Sequence, residues 1–148
     1  MINIICDHDP LLDRPDCLIV KKIANTVLLS ENVKKGEVSF IFASDELLAE
    51  LKKKYFNQNH YTDIISFRLD DNKKNNIDGE IYISLQRAKE NADLYNQPYE
   101  KEIARLIIHG CLHLIGFNDN TPNEKTIMTN MEDKFLNTIN WENIFSHK

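Results

Sequence analysis

The 148-residue sequence is poor in the residues that break regular structure: four glycines and four prolines, with a single tryptophan. No repeat and no low-complexity segment is present, and 42% hydrophobic with 28% charged residues is a globular profile, neither disordered nor fibrous. Cysteine is also scarce. Cys6, Cys17 and Cys111 show no CxxC spacing and read as buried small hydrophobes in a reducing cytoplasm. No apolar run approaches the ~18 residues of a membrane-spanning helix. The first apolar stretch, Ile2 to Cys6, is too short for a signal peptide, so a cytoplasmic protein without membrane contact is expected. An excess of positive charge is missing too. Eighteen Lys and Arg against 23 Asp and Glu give a net charge of −5, which argues against attachment to nucleic acid by bulk charge alone.

What is present fits one domain over residues 1–148, long enough to bury roughly two-thirds of its unfolded surface without disulfides. Residues 2–6 read as a strand and Asp7 to Pro15 as a turn. From Asp16 the positions Val20, Ile23, Val27 and Leu28 recur at helical spacing, with a helix exit at Lys34, Lys35 and Gly36. Residues 37–43 are β-branched and aromatic, a second strand. Ser44 then caps a helix that turns Leu47, Leu48, Leu51 and Tyr55 inward. A strand over 63–69, a polar loop over 70–78 and a strand from Gly79 to Ser84 suggest a pair. Three helices follow: one with Leu85, Ala88, Ala92 and Tyr95 on one side, one starting at Pro98, and one opened by the Thr121-Pro122-Asn123-Glu124 capping box, bearing Ile127, Met128, Met131 and Phe135. The class is α+β, a small mixed sheet of about four strands packed with helices.

His109 and His113 carry the most specific chemistry. Four residues of helix turn through about 400°, so both imidazoles leave one face, one turn apart, where two nitrogens reach one metal ion. Gly116 suits the left-handed turn that stops a helix, after which Asp119 can return as a third, oxygen ligand. Three protein ligands with a fourth position open is the catalytic arrangement of zinc. Ordinary structural histidines share the same spacing, so spacing alone leaves both readings open. The helix is not that of the His-Glu-x-x-His proteases, because Gly110 stands where they place the general base. Gly110 would also let a substrate approach the metal closely.

The segment His109-Gly110-Cys111-Leu112-His113-Leu114-Ile115-Gly116-Phe117-Asn118-Asp119 resembles the His-Gly-x-Leu-His-Leu-x-Gly-Tyr-Asp-His signature of the YbeY-type endoribonucleases, bacterial rRNA maturation factors. Thr62-Asp63-Ile64-Ile65-Ser66-Phe67 is similar to that family's Thr-Asp-Val-Leu-Ser-Phe strand, and Gly79 to Ser84 to its Gly-Asp-Ile strand. The Met131-Glu132 pair falls in the last helix, and the likeness runs from about Val38 to Phe135. Two departures stand out. Asp119 occupies the place of the third histidine, and Phe56 that of an arginine proposed to meet RNA phosphate.

The resemblance implies a zinc-dependent endoribonuclease acting on the 3′ end of small-subunit 16S rRNA, in maturation and ribosome assembly. It implies one Zn2+ (or another divalent ion, since oxygen ligands suit several) on His109, His113 and Asp119. Asp63 or Glu80 would orient a ligand imidazole or assist proton transfer, and Ser66 would hydrogen-bond RNA. Lys52, Lys53 and Lys54, with Arg68, Lys73 and Lys74, offer a basic surface, and Tyr55, Phe56 and Tyr61 offer stacking faces. Each of these also has an ordinary reading as a solvated face, strand end or core position. His60 lies near the site with no assigned role. Expected partners are ribosomal RNA and the small subunit, with ribosomal proteins or an assembly GTPase. The alternatives are a non-catalytic ribosome-assembly factor with a structural metal, favoured by Phe56, and, further off, a metallopeptidase.

Overall fold

Alternation in β4 (Asn76–Ser84) sets the plan: Ile77, Gly79, Ile81 and Ile83 are buried on one face while Asp78, Glu80 and Tyr82 turn to the other. Period-two burial of this kind marks a strand with unequal faces. The computed structural model describes residues 2–69 and 76–145. Its other elements are β1 (Ile2–His8), α1 (Cys17–Ser30), β2 (Lys35–Ala43), α2 (Asp45–Phe56), β3 (Ile64–Arg68), α3 (Leu85–Leu94), α4 (Tyr99–Leu114) and α5 (Pro122–Leu136). The strands form one mixed sheet in the order β1-β2-β4-β3, with β1, β2 and β4 parallel and β3 antiparallel on the edge. The fold is α+β, with five helices on a four-stranded sheet among the described residues.

The main core lies between the sheet and the helices α1, α3 and α4. Val38, Phe40 and Phe42 of β2 and Ile81 and Ile83 of β4 meet Val20, Ile23, Ile103 and Ile107 there, all essentially sealed from solvent. A smaller cluster on the opposite face packs Leu48 of α2 on Ala43 and Ile65. α4 is the central helix, and its apolar run is buried nearly all round (Ile103, Ala104, Leu106, Ile107, Ile108, Cys111 and Leu112). No helix among the described residues is long and apolar enough to cross a membrane.

Several expectations shift at element ends and on exposed faces. α1 stops at Ser30, and Gly36 lies inside β2 at φ +122°, where a Cβ would collide with the backbone of Ile77 across the ladder. The positive φ is available to glycine alone at little cost. β4 begins at Asn76, not Gly79; the rest of the expected loop, 70–75 with Lys73 and Lys74, lies outside the described residues. Tyr55, expected inward, and Tyr95 are 58% and 65% exposed because they stand at the C-terminal ends of α2 and α3, past the core, and Ile127 is 45% exposed at the flank of α5's buried stripe. Cys6 and Cys17 are not free thiols. The end of β1 and the start of α1 bring their Cα atoms to 6.0 Å, and the pair is joined as a disulfide. Cys111 is buried and unpaired, with its thiol pKa raised by burial.

Candidate metal centre

The end of α4 builds the site. Leu114 is the last helical residue, and the chain leaves through two reversed hydrogen bonds, from Gly116 N–H to His113 O (3.1 Å) and from Phe117 N–H to Leu112 O (3.0 Å). This is a Schellman exit, and Gly116 takes the required positive φ of +106°. The reversal returns Asp119 to the helix. Its Oδ2 lies 3.4 Å from His109 Nε2 and its Oδ1 lies 3.5 Å from His113 Nε2. The two imidazoles stand edge to face with centroids 4.6 Å apart. One ligand atom from each of the three residues falls within 4.8 Å of the others.

The donor set fits a metal ion. A tetrahedral ion with bonds of about 2.0–2.1 Å holds its ligands roughly 3.4 Å apart, close to the spacing from Asp119 to both rings. Two imidazole nitrogens and one carboxylate are a borderline donor set, suited to zinc and tolerant of other divalent ions. Burial holds the His113 pKa below its ordinary value, helped by His109 and opposed by Asp119 and a backbone hydrogen bond to Phe117. A neutral imidazole is the form that binds metal.

The trio lines a cleft of about 490 Å³ at the sheet edge, between α4, β3 and the end of α2. Ser66 and Arg68 of β3 face this side, and Asp63 stands at the strand's entrance. Ser66 Oγ is buried without a hydrogen-bond partner, an orphan hydroxyl in the cleft wall. Asp63 is held by Asn91 Nδ2 (3.0 Å) and lies 3.9 Å from Arg105. Arg68 donates to Leu114 O (2.7 Å) and Asn76 O (3.2 Å), so its guanidinium closes the end of α4 as well as lining the cleft. Lys52 and Phe56 form the mouth, with the ammonium 4.7 Å above the ring. A larger hollow of about 620 Å³ between α1 and the segment after α5 has Lys22 as the one charged group in its lining.

Other expected residues lie elsewhere. Glu80 is on the opposite face of the sheet from α4, where Tyr82 O–H donates to it at 3.2 Å, so it cannot orient a ligand imidazole. Lys53 borders a separate hollow beside His60 and Tyr61, and Lys54 stands over the Tyr55 ring. His60 is tied to Tyr61 O and Gln58 and does not join the trio. Gly110 does not admit a substrate. It faces Ile81 and Ile64 and lets α4 lie flat on the sheet. The carboxylate against His109 Nδ1 is neither Asp63 nor Glu80 but Glu132 of α5, at 2.5 Å. One sequence signal pointed there: Glu132 shares the apolar stripe of Met128, Phe135 and Leu136, where a charge needs a partner.

The family model described as "Endoribonuclease YbeY" matches residues 15–140. The chain belongs to the YbeY endoribonuclease family. Relatives named endoribonuclease YbeY include that of Flavobacterium psychrophilum, 41% identical over 112 residues, covering 76% of this chain and 79% of the relative. That of Bacteroides fragilis is 46% identical over 101 residues, covering 68% and 71%. That of Christiangramia forsetii is 38% identical over 133 residues and covers 90% of both chains. The solution structure of TM1509 from Thermotoga maritima shares the fold, with a TM-score of 0.62 at 25% identity, covering 92% of this chain and 87% of that one. The YbeY match reaches further towards the N-terminus than the motif likeness from Val38, taking in α1.

Proposed function

We propose that this chain is a zinc-dependent endoribonuclease that hydrolyses RNA phosphodiesters in the cytoplasm, in maturation of the small-subunit rRNA 3′ end and ribosome assembly. The observation that carries this reading is the convergence of His109, His113 and Asp119 in one cleft, in a member of an endoribonuclease family. When bound, the ion supplies Lewis-acid polarisation of the phosphoryl group and lowers the pKa of water. The chain's own groups do the rest. Lys52 at the mouth meets a backbone phosphate, and the Phe56 ring takes a base face. The orphan Ser66 hydroxyl donates to a phosphate oxygen. Asp63, fixed by Asn91, is placed to accept a proton in the cleft. The partners are ribosomal RNA within the small subunit, with ribosomal proteins or an assembly GTPase beside it. A net charge of −5 suits a substrate presented by the ribosome better than tight hold on naked RNA.

Elemental analysis beside RNA cleavage tests this. Wild type is expected to carry about one equivalent of metal; His109→Ala, His113→Ala and Asp119→Ala lose it, and cleavage with it. Full cleavage surviving those changes and chelation sinks the reading. Phe56 at the cleft mouth, in place of the family arginine, favours a second reading: an assembly factor whose metal is structural. Metal-loaded protein that binds small-subunit particles without cutting RNA would select it.

A further inference from the structure

Glu132 comes from α5, twenty-three residues beyond His109 in sequence, and its side chain is only 4% exposed. A buried carboxylate is costly unless it is paired. This one is paired twice: Oε2 lies 2.5 Å from His109 Nδ1, and Oε1 accepts from Arg105 Nη1 at 3.2 Å. Arg105 in turn grips Glu102 through Nε (2.8 Å) and Nη2 (2.6 Å), a two-pronged contact with a side chain 5% exposed. Burial opposes the guanidinium charge, but hydrogen bonds and charge from Glu102 and Glu132 hold its pKa above the ordinary value. Asn91 ties the far side, reaching both Asp63 and Glu102.

These contacts decide where a proton sits. Arg105 can only donate, so Oε1 of Glu132 is taken up as its acceptor and Oε2 is left facing the ring nitrogen as the acceptor of that contact. The hydrogen in the contact with His109 is therefore carried by the ring, on Nδ1. In the neutral ring Nε2 then bears a lone pair. It points at Asp119 Oδ2, 3.4 Å away, which also bears lone pairs. Two acceptors facing each other repel unless a cation lies between them.

We infer that Glu132, clamped by Arg105, is a positioning residue that fixes His109 as the Nδ1–H tautomer before any metal arrives, presenting Nε2 to a divalent cation. The cation's part in this rests on the metal reading above; the tautomer does not. Carboxylates placed behind metal-bound histidines act in this way elsewhere, and their loss typically weakens metal binding 10–100-fold. Gln in place of Glu132 keeps the shape but removes the charge. It can also turn its amide N–H towards the ring and reverse the preference.

The test begins on wild type stripped of metal, with 15N-labelled histidine, at a pH where the imidazoles are neutral. Long-range 1H–15N correlations should show His109 protonated on Nδ1; protonation on Nε2 overturns the inference. A competition titration of Zn2+ against a chromogenic chelator should then give Glu132→Gln a 10–100-fold weaker affinity than wild type. Unchanged affinity in a folded variant also overturns it. Should Glu132→Gln fail to fold, the wild-type tautomer decides the matter alone. Wild type that binds no Zn2+ yet shows the Nδ1–H ring refutes the metal reading and leaves the tautomer standing.

Discussion

Gly110 and Ile81 touch so closely that a Cβ on Gly110 would lie 2.8 Å from Ile81 Cγ2. The contact sits between the two histidines of α4, so packing and site share one seam. Ile81 is fully buried in the core and has little room to withdraw, while the half-buried Ile64 reaches the same spot with its Cδ1 3.1 Å from that Cβ. Gly110→Ala should gain up to about 1 kcal/mol of helix propensity and lose more to overpacking, typically 1–3 kcal/mol. The expected result is a Tm lower by a few degrees, about 2–4 °C per kcal/mol at this size. Metal affinity should weaken as well, because the helix lifts His109 and His113 away from Asp119. A variant as stable as wild type, with undiminished metal binding, would show that α4 can move off the sheet freely.

Much of the site was legible because it is local. His109, His113, Gly116 and Asp119 lie within one helix end and its reversal, and helical geometry places them without tertiary knowledge. The fold class followed from strand periodicity and caps: the Ser44 N-cap and the Thr121 capping box stand as read. What escaped is long-range. Glu80 looked as near to the site as Asp63, but strand alternation turns it to the other face, and only the sheet order reveals which face α4 covers. Glu132 reaches His109 only because α5 folds back along α4. The Cys6–Cys17 pair depends on β1 and α1 meeting, a relation that a spacing of eleven residues does not announce.

That disulfide carries its own prediction. It closes a loop with a sequence separation of 11, for which chain-entropy reasoning gives about 2–3 kcal/mol of stabilisation. Alkylation after unfolding without reductant should label Cys111 alone, and after reduction all three cysteines. Reduction, or the Cys6→Ser/Cys17→Ser double variant, should lower the urea midpoint. Three labelled thiols in freshly purified, unreduced protein would contradict the pairing.

The lowered pKa of His113 fixes a sign for the metal-free protein. The folded state binds a proton to this ring less readily than the unfolded state, whose histidine titrates near 6.5. Above that value both states hold the ring neutral and the group costs nothing. As pH falls below it the unfolded state takes up the proton first, so stability is lost on acidification. Urea midpoints of EDTA-treated protein between about pH 5 and 7.5 should fall more steeply towards acid for wild type than for His113→Gln. Parallel curves would show that burial of this ring does not couple to folding.

Phe56 and Lys52 predict how RNA is held at the cleft mouth. The Phe56 ring is 42% exposed, backed by Phe67 at 5.8 Å between centroids and capped by Lys52. When Lys52 swings from over the ring to meet a phosphate, the supported face is opened to take the adjoining base. Removing a stacking ring costs about 1–3 kcal/mol per base. Phe56→Ala should therefore weaken binding of a short unpaired RNA by roughly tenfold or more, and Phe56→Tyr should restore it. Lys52→Ala should weaken binding across sequences and reduce the slope of log affinity against log salt by about one. Lys53→Ala, facing the hollow beside His60, should change neither by as much. Equal losses from Lys52→Ala and Lys53→Ala would place the RNA across the outer face of α2, away from the mouth that Phe56 guards.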